Sequence, residues 1–159
     1  MTRKEQYNQL ILQIAGLIKD ETNLVGILAN VSAALHDAFP ERFFWVGFYL
    51  QENGNMLRLG PFQGSVACYV IPFGKGVCGK AWEEGCTLIV PDVEKFPGHI
   101  ACSSLSRSEI VVPMYDDSHT FRGVLDIDST YLNDFNEDDK EGLERIIELL
   151  MAETHDLFQ

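Results

Sequence analysis

The sequence predicts an α+β fold in which an antiparallel sheet is flanked by helices from both chain ends. Two observations predict it. Apolar residues recur at helical spacing near the two ends of the chain. Between them, aromatic and β-branched runs alternate with turn-rich segments in the manner of hairpins. Helices segregated from an antiparallel sheet pack onto its face to bury their apolar stripes.

Taken in order, Tyr7, Leu10, Ile11, Ile14, Leu17 and Ile18 follow i, i+3, i+4, i+7 spacing, so the first twenty residues are expected to form an amphipathic helix. Leu24, Ile27, Leu28, Val31, Leu35 and Phe39 continue that spacing in a second helix, with Thr22 and Asn23 as candidate caps and Pro40 as its stop. Phe43 to Leu50 and Met56 to Leu59 read as a hairpin across Glu52-Asn53-Gly54-Asn55. Two glycine-bearing stretches, Gly60 to Gly64 and Gly74 to Gly79, read as loops around a short strand at Cys68 to Ile71. Thr87 to Val90 is a strand ended by Pro91. Asp92 to Ser108 has no clean period and is the longest irregular segment, the kind of loop in which function concentrates. A second hairpin joins Glu109–Tyr115 to Phe121–Asp128. Asn136, with Asp139 three residues on, caps a closing helix whose buried stripe is Leu143, Ile146, Ile147, Leu150 and Leu157. One sheet face should carry the terminal helices and the other the central loops. No internal repeat or low-complexity segment interrupts this order.

The chain of 159 residues suits one domain, residues 1–159, with a sizeable core. Twelve Lys and Arg stand against 24 Asp and Glu, a net charge of -12, which disfavours nucleic acid and anionic membranes as partners because a polyanion gains nothing from excess carboxylate. The polar start from Met1 to Leu10 does not read as a signal peptide, and no apolar run approaches the ~20 residues of a membrane helix. The expected compartment is the cytoplasm. Structural disulfides are rare there, so cysteines are packing residues, metal ligands or redox groups.

Of the four cysteines, Cys68, Cys78 and Cys102 sit in Gly-rich or turn-prone surroundings, which suggests thiol chemistry. Nine, seven and fifteen residues separate the four in turn, so no C-x-x-C pair supports a zinc ribbon or a thioredoxin-type dithiol. Around Cys102 the run Phe96 to Ser104 reads as a loop entering a turn, where backbone N–H groups can lower a thiol pKa and make a nucleophile. Cys86 reads as a small core residue.

The acids form the second candidate group. In Val124-Leu125-Asp126-Ile127-Asp128 the two-residue strand period puts Leu125 and Ile127 on one face and both acids on the other. Glu109 opens the partner strand and can reach the same face. Three acids beneath the central loops should repel, which raises at least one pKa and leaves a proton for donation. Such a cluster also suits a ligand bearing an ammonium group.

The motifs Gly60-Pro61-Phe62-Gln63-Gly64, Ala67-Cys68, Gly74-Lys75-Gly76-Val77-Cys78-Gly79, Asp92-Val93, Phe96-Pro97-Gly98-His99-Ile100-Ala101-Cys102, Ser108 to Pro113 and Gly123 to Ser129 resemble, in order and across almost the whole chain, the free methionine-(R)-sulfoxide reductases. These are GAF-domain enzymes. The resemblance implies a GAF-like six-stranded antiparallel sheet and reduction of free, not protein-bound, methionine sulfoxide of R configuration. By motif match Cys102 is the nucleophile, Cys68 and Cys78 are the other redox cysteines, and Glu109, Asp126 and Asp128 are substrate-binding acids. Trp45 and Tyr49 stand where the family has aromatic pocket residues, a looser match.

The implied route is attack of a Cys102 thiolate on the substrate sulfur, assisted by a protonated acid, followed by condensation of the sulfenic acid with Cys68 or, as second choice, Cys78. Thioredoxin suits the final reduction, and no bound cofactor is required. The resemblance also suggests a homodimer. Two readings from other classes compete: a non-catalytic GAF sensor for a small ligand, and a structural metal protein using some of the four cysteines.

Overall fold

A computed structural model gives the fold of residues 1–100 and 102–158. Ala101, part of the motif before Cys102, lies outside the described residues. The elements are α1 (Arg3–Ile18), α2 (Leu24–Ala38), β1 (Trp45–Glu52), β2 (Met56–Gln63), β3 (Val70–Pro72), α3 (Gly76–Glu84), β4 (Leu88–Val90), β5 (Ser108–Tyr115), β6 (Phe121–Ser129) and α4 (Glu137–Thr154). The strands form one six-stranded sheet in the order β3-β2-β1-β6-β5-β4, every neighbouring pair antiparallel. This is the α+β architecture and the GAF-like sheet expected from the sequence.

The sheet's two faces carry separate cores. On one, Val46, Phe48, Ile110, Val112, Met114, Leu125 and Ile127 meet the apolar stripes of the helices. Here α2 packs on β1 and β2, α4 packs on β5, and α1 lies against both helices. On the other face Trp45, Tyr49, Val111 and Val124 are covered by α3 and the central loops, with Val77, Cys78 and Ala81 pointing down from α3. Strand alternation therefore decides which residues enter which core, as it does for Leu125 and Ile127 against Asp126 and Asp128.

Several local expectations need correction. The stretch Gly60 to Gln63 is not a loop but the second half of β2. Pro61, which lacks an N–H, is tolerated there because the β1–β2 register shifts between Gly47 and Tyr49 and leaves it unpaired. Gly74 to Gly79 is only half a loop. The positive φ angles of Gly74 and Gly76, 73° and 61°, make the turn, and from Gly76 the chain is helical as α3. The short strand begins at Val70, so Cys68 lies just before it. Asn23 holds the N-cap position of α2 without a side-chain cap bond, and the Glu21 carboxylate accepts from the N–H groups of Thr22 and Asn23 instead. Leu157 is half-buried in a short turn beyond α4 rather than on its stripe, and Phe158 is the residue buried there.

The predicted cap of α4 is present in full. The Asn136 side chain accepts from the N–H groups of Asp138 and Asp139, and the Asp139 carboxylate accepts from the Asn136 N–H. Asp139 does more than cap. Fully buried, it also accepts from Tyr7 Oη at 2.6 Å, Arg3 Nη1 at 2.8 Å and Arg42 Nη2 at 3.1 Å, and so joins α1, the segment before β1 and α4. The Arg42 guanidinium binds Asp134 as well and lies over the rings of Phe39, Phe43 and Phe135 at 5.1 to 5.7 Å. Removing Arg42 leaves Asp134 and the buried Asp139 with Arg3, the more exposed of the two cations, and takes the guanidinium off three rings. Arg42→Ala should therefore cost about 3–5 kcal/mol in a denaturant titration. A loss below about 1 kcal/mol, the range of an exposed pair, would contradict this reading of the network.

Candidate functional site

The site is built in rows across the central strands. Trp45 of β1 is paired with Asp128 of β6, Asp128 with Glu109 of β5, and Glu109 with Val90 of β4. The next row sets Gly47 against Asp126, and Asp126 against Val111. Because successive rows on one face are two residues apart, the three acids and Trp45 share the face under α3. Gly47 matters here because a Cβ would run into Phe62 and the Trp45 indole, so the absence of a side chain leaves room beside Asp126. Gly64 plays a matching part at the rim: its φ is 141°, and a Cβ there would meet the Trp45 ring.

These residues line one cavity. Glu109, Asp126 and Asp128 form its floor, Trp45 and Tyr49 one wall, and Cys78 reaches it from α3. His99, Ile100 and Cys102 come from the long irregular segment. Trp45 and Tyr49 are stacked with ring centroids 5.9 Å apart. Their polar ends fix the adjoining loop, because the Trp45 indole N–H donates to the Ser65 carbonyl at 3.0 Å and the Tyr49 hydroxyl to the Cys68 carbonyl at 2.9 Å. The structure thus gathers every sequence-predicted site residue at one place, with Cys68 at its edge.

The thiols are in different states. Cys68 and Cys102 are joined by a disulfide, with their Cα atoms 5.7 Å apart and a sequence separation of 34. Cys78 is a free, buried thiol hydrogen-bonded to Asp126. Burial first, then the charges of Asp126, Glu109 and Asp128, push its pKa well above the ordinary thiol value. Cys86 is exposed just beyond α3, which corrects its reading as a core residue. The turn at Gly85 ends α3 and directs the next residue to the surface, a consequence of backbone geometry that composition does not reveal.

Burial dominates the electrostatics of the floor. Glu109 is raised well above the ordinary carboxylate value by desolvation, then by the charges of Asp126 and Asp128. Asp128 is raised well above it too, by desolvation and then by the charge of Asp126. Asp126 is raised by burial even though bonds to Glu109 and Cys78 favour its ionised form. Mutual repulsion, the cause anticipated from sequence, is thus second to desolvation. Among the described residues no Lys or Arg is ion-paired with these acids. His99 Nε2 is the nearest candidate, 3.8 Å from Glu109, and burial lowers its pKa, which favours the neutral ring. Asp126 Oδ1 is buried without a donor, so it calls for a proton on a neighbour or a cationic ligand.

The same geometry bears on metals. Cys78, Glu109 and Asp126 bring one ligand atom each within 4.8 Å of one another, a donor set compatible with a borderline-soft cation. The four cysteines do not converge: two are bonded to each other, one faces the acids and one is at the surface. The sequence offers His99 and Ile100 only as parts of a motif and does not single out Phe44, though all three line the cavity. Their signal was membership of the long irregular segment or position just before a strand, which does not say which way a side chain faces.

A stability test isolates the buried acids. A carboxyl whose folded pKa lies above its unfolded one stabilises the fold while protonated, fully below about pH 4, and that contribution is lost as pH rises through the folded pKa. Glu109→Gln, which mimics the protonated acid, should match the parent chain in thermal unfolding near pH 4 and exceed it at pH 8. The gain should be about 1.4 kcal/mol for each unit by which Glu109 is raised. A difference equal at both pH values would contradict a protonated Glu109.

No protein-family model matches the chain. GAF domain-containing protein A of Dictyostelium discoideum is 56% identical over 149 residues, covering 94% of this chain and 92% of that protein. The free methionine-R-sulfoxide reductase of Saccharomyces cerevisiae is 43% identical over 155 residues, covering 94% of this chain and 86% of the yeast protein. Among solved structures, free methionine-R-sulfoxide reductase from Neisseria meningitidis in complex with its substrate superposes with a TM-score of 0.93 at 47% identity, covering 98% of this chain and 92% of that one. Full-length similarity of this order, together with the sheet and its covered acidic face, carries the conclusion that the chain belongs to the free methionine-R-sulfoxide reductases of the GAF fold.

Proposed function

We propose that this protein reduces free L-methionine-(R)-sulfoxide to methionine, with Cys102 as nucleophile and Cys68 as resolving thiol. The observation that carries the reading is the Cys68–Cys102 disulfide beside an acidic floor with no ion-paired Lys or Arg among the described residues. In the reduced protein the Cys102 thiolate attacks the substrate sulfur while an acid of the floor donates a proton to the sulfoxide oxygen. The substrate S–O bond breaks and a Cys102 S–O bond forms: methionine leaves with its sulfur reduced by two electrons, and the Cys102 sulfur, oxidised by two, holds the oxygen as sulfenic acid. The Cys68 thiol then displaces it as water and forms the disulfide. Glu109, Asp126 and Asp128 titrate as a group, so the proton belongs to the cluster and not to one residue.

Recognition follows from the same charges. The substrate ammonium supplies the missing cation to the ionised members of the floor, and the stacked Trp45 and Tyr49 pack the methyl sulfinyl end. A peptide-bound methionine sulfoxide has no such ammonium and would leave the acids uncompensated. Cys78, the second candidate for resolution, is a poor nucleophile while its thiol is buried and held protonated, and in this reading it donates to Asp126.

Thioredoxin is the suited final reductant, and a disulfide that must be reopened each cycle belongs in a reducing compartment such as the cytoplasm. No helix among the described residues is long and apolar enough to cross a membrane. A homodimer through the helical face is supported by Leu12 of α1 and Val25 of α2, both exposed.

The test is NADPH consumption through thioredoxin reductase and thioredoxin. The R epimer of free methionine sulfoxide should be turned over, the S epimer and a peptide sulfoxide should not, and Cys102→Ser should be inactive. Cys68→Ser should form one methionine per chain in a single turnover and then stop. Equal turnover of the peptide sulfoxide would contradict the role given to the acids, and sustained thioredoxin-driven turnover by Cys68→Ser would contradict its role in resolution.

A further inference from the structure

The proposed cycle requires a reductant to reach one sulfur of the Cys68–Cys102 disulfide, so the surface around that bond is where a protein reductant has to sit. Cys102 is exposed and Cys68 half-buried, and their chain neighbours have an unusual character. Val66 is 88% exposed, Tyr69 78% and Leu105 58%. Singly exposed apolar residues are ordinary on a protein surface. These three differ in lying within three residues of one or the other half of the same disulfide, on two segments that the disulfide holds together. Trp45 and Tyr49 of the cavity wall are by contrast buried, while Val66 also lines the cavity.

We propose that Val66, Tyr69 and Leu105 form an apolar collar on which a protein dithiol reductant docks. A small thiol needs no such surface to attack an exposed disulfide, whereas a protein must bury area around the reacting sulfurs to hold them in line. With a net charge of -12, this chain offers no general electrostatic attraction to acidic partners, and apolar contact serves in its place. Tyr69 and Leu105 flank the bond from opposite segments, so a partner seated on both has its thiolate directed between them. The exchange then balances as follows. The partner's thiolate attacks the Cys102 sulfur, the Cys68–Cys102 bond breaks, and Cys68 leaves as a thiolate that takes up a proton. The partner's second thiol attacks the mixed disulfide, releases Cys102 as a thiol and closes the partner's own disulfide. Two electrons and two protons pass to this chain, and the collar is then free to release the oxidised partner.

This inference rests on the reductase reading, and the experiment separates the two. Turnover of free methionine-(R)-sulfoxide is measured for the parent chain and for the double variant Tyr69→Ser, Leu105→Ser, with thioredoxin plus its reductase and, separately, with dithiothreitol. The double variant should lose about tenfold or more in kcat/KM for thioredoxin, the scale of losing one or two apolar anchors. Its dithiothreitol-driven turnover should stay within about twofold of the parent, since rates with a small thiol follow thiol chemistry and access. An unchanged thioredoxin constant, or equal losses with both reductants, overturns the collar. If the parent chain forms no methionine with dithiothreitol, the reductase reading itself fails and the collar with it.

Discussion

Three carboxylates on the covered face of the central strands, Glu109 and Asp126 buried and Asp128 half-buried, with no ion-paired Lys or Arg among the described residues, are the constraint around which the rest of this molecule is arranged. Desolvation makes charge expensive there, so all three are driven toward their protonated forms, and an unpartnered Asp126 oxygen remains in the same place. The fold supplies what such a floor requires. Residues alternating with the acids on β6, Leu125 and Ile127, anchor the opposite face in the helical core. α3 and the irregular segment before β5 then close over the acids and keep them from bulk water. A floor on which burial disfavours charge gains most from a ligand that brings a cation to it.

The disulfide connects this electrostatic design to redox state. Its halves come from separate places, one just before β3 and the other in the long segment before β5, and both border the acidic cavity. The residues that hold the Cys68 segment are pocket residues as well: Tyr49 donates to the Cys68 carbonyl and Trp45 to that of Ser65. The aromatic wall therefore has two jobs, as a surface for substrate and as a support for the chain carrying a redox thiol. The buried network at Asp139 acts at longer range, fixing α1 and α4 behind the sheet so that the strands bearing the acids keep their register.

Much of this was legible in the sequence where a period was clean. The alternation in Val124 to Asp128 gave the facing of Asp126 and Asp128, and the Asn136–Asp139 spacing gave the α4 cap. The glycine-rich stretches were harder because glycine and proline weaken both helix and strand signals, so β2 was read four residues short and the helix α3 was read as a loop. Cys86 was misread because burial depends on where a helix ends in space. The motif resemblance brought Trp45 and Tyr49 to the site, yet nothing in the spacing of four cysteines indicated that Cys68 and Cys102 are the pair that meets. The disulfide in the structure supplied that, and the dominance of burial over repulsion at the acids likewise emerges only from their surroundings in three dimensions.

The central claim, that a substrate ammonium replaces protons on the buried floor, is tested most directly by calorimetry. Free methionine-(R)-sulfoxide would be titrated into reduced Cys102→Ser protein near neutral pH in buffers of differing ionisation enthalpy. The account predicts net proton release on binding, because carboxyls held protonated in the empty site ionise against the incoming cation. Binding with no proton released would mean that the ammonium displaces no proton from the floor, and would contradict it.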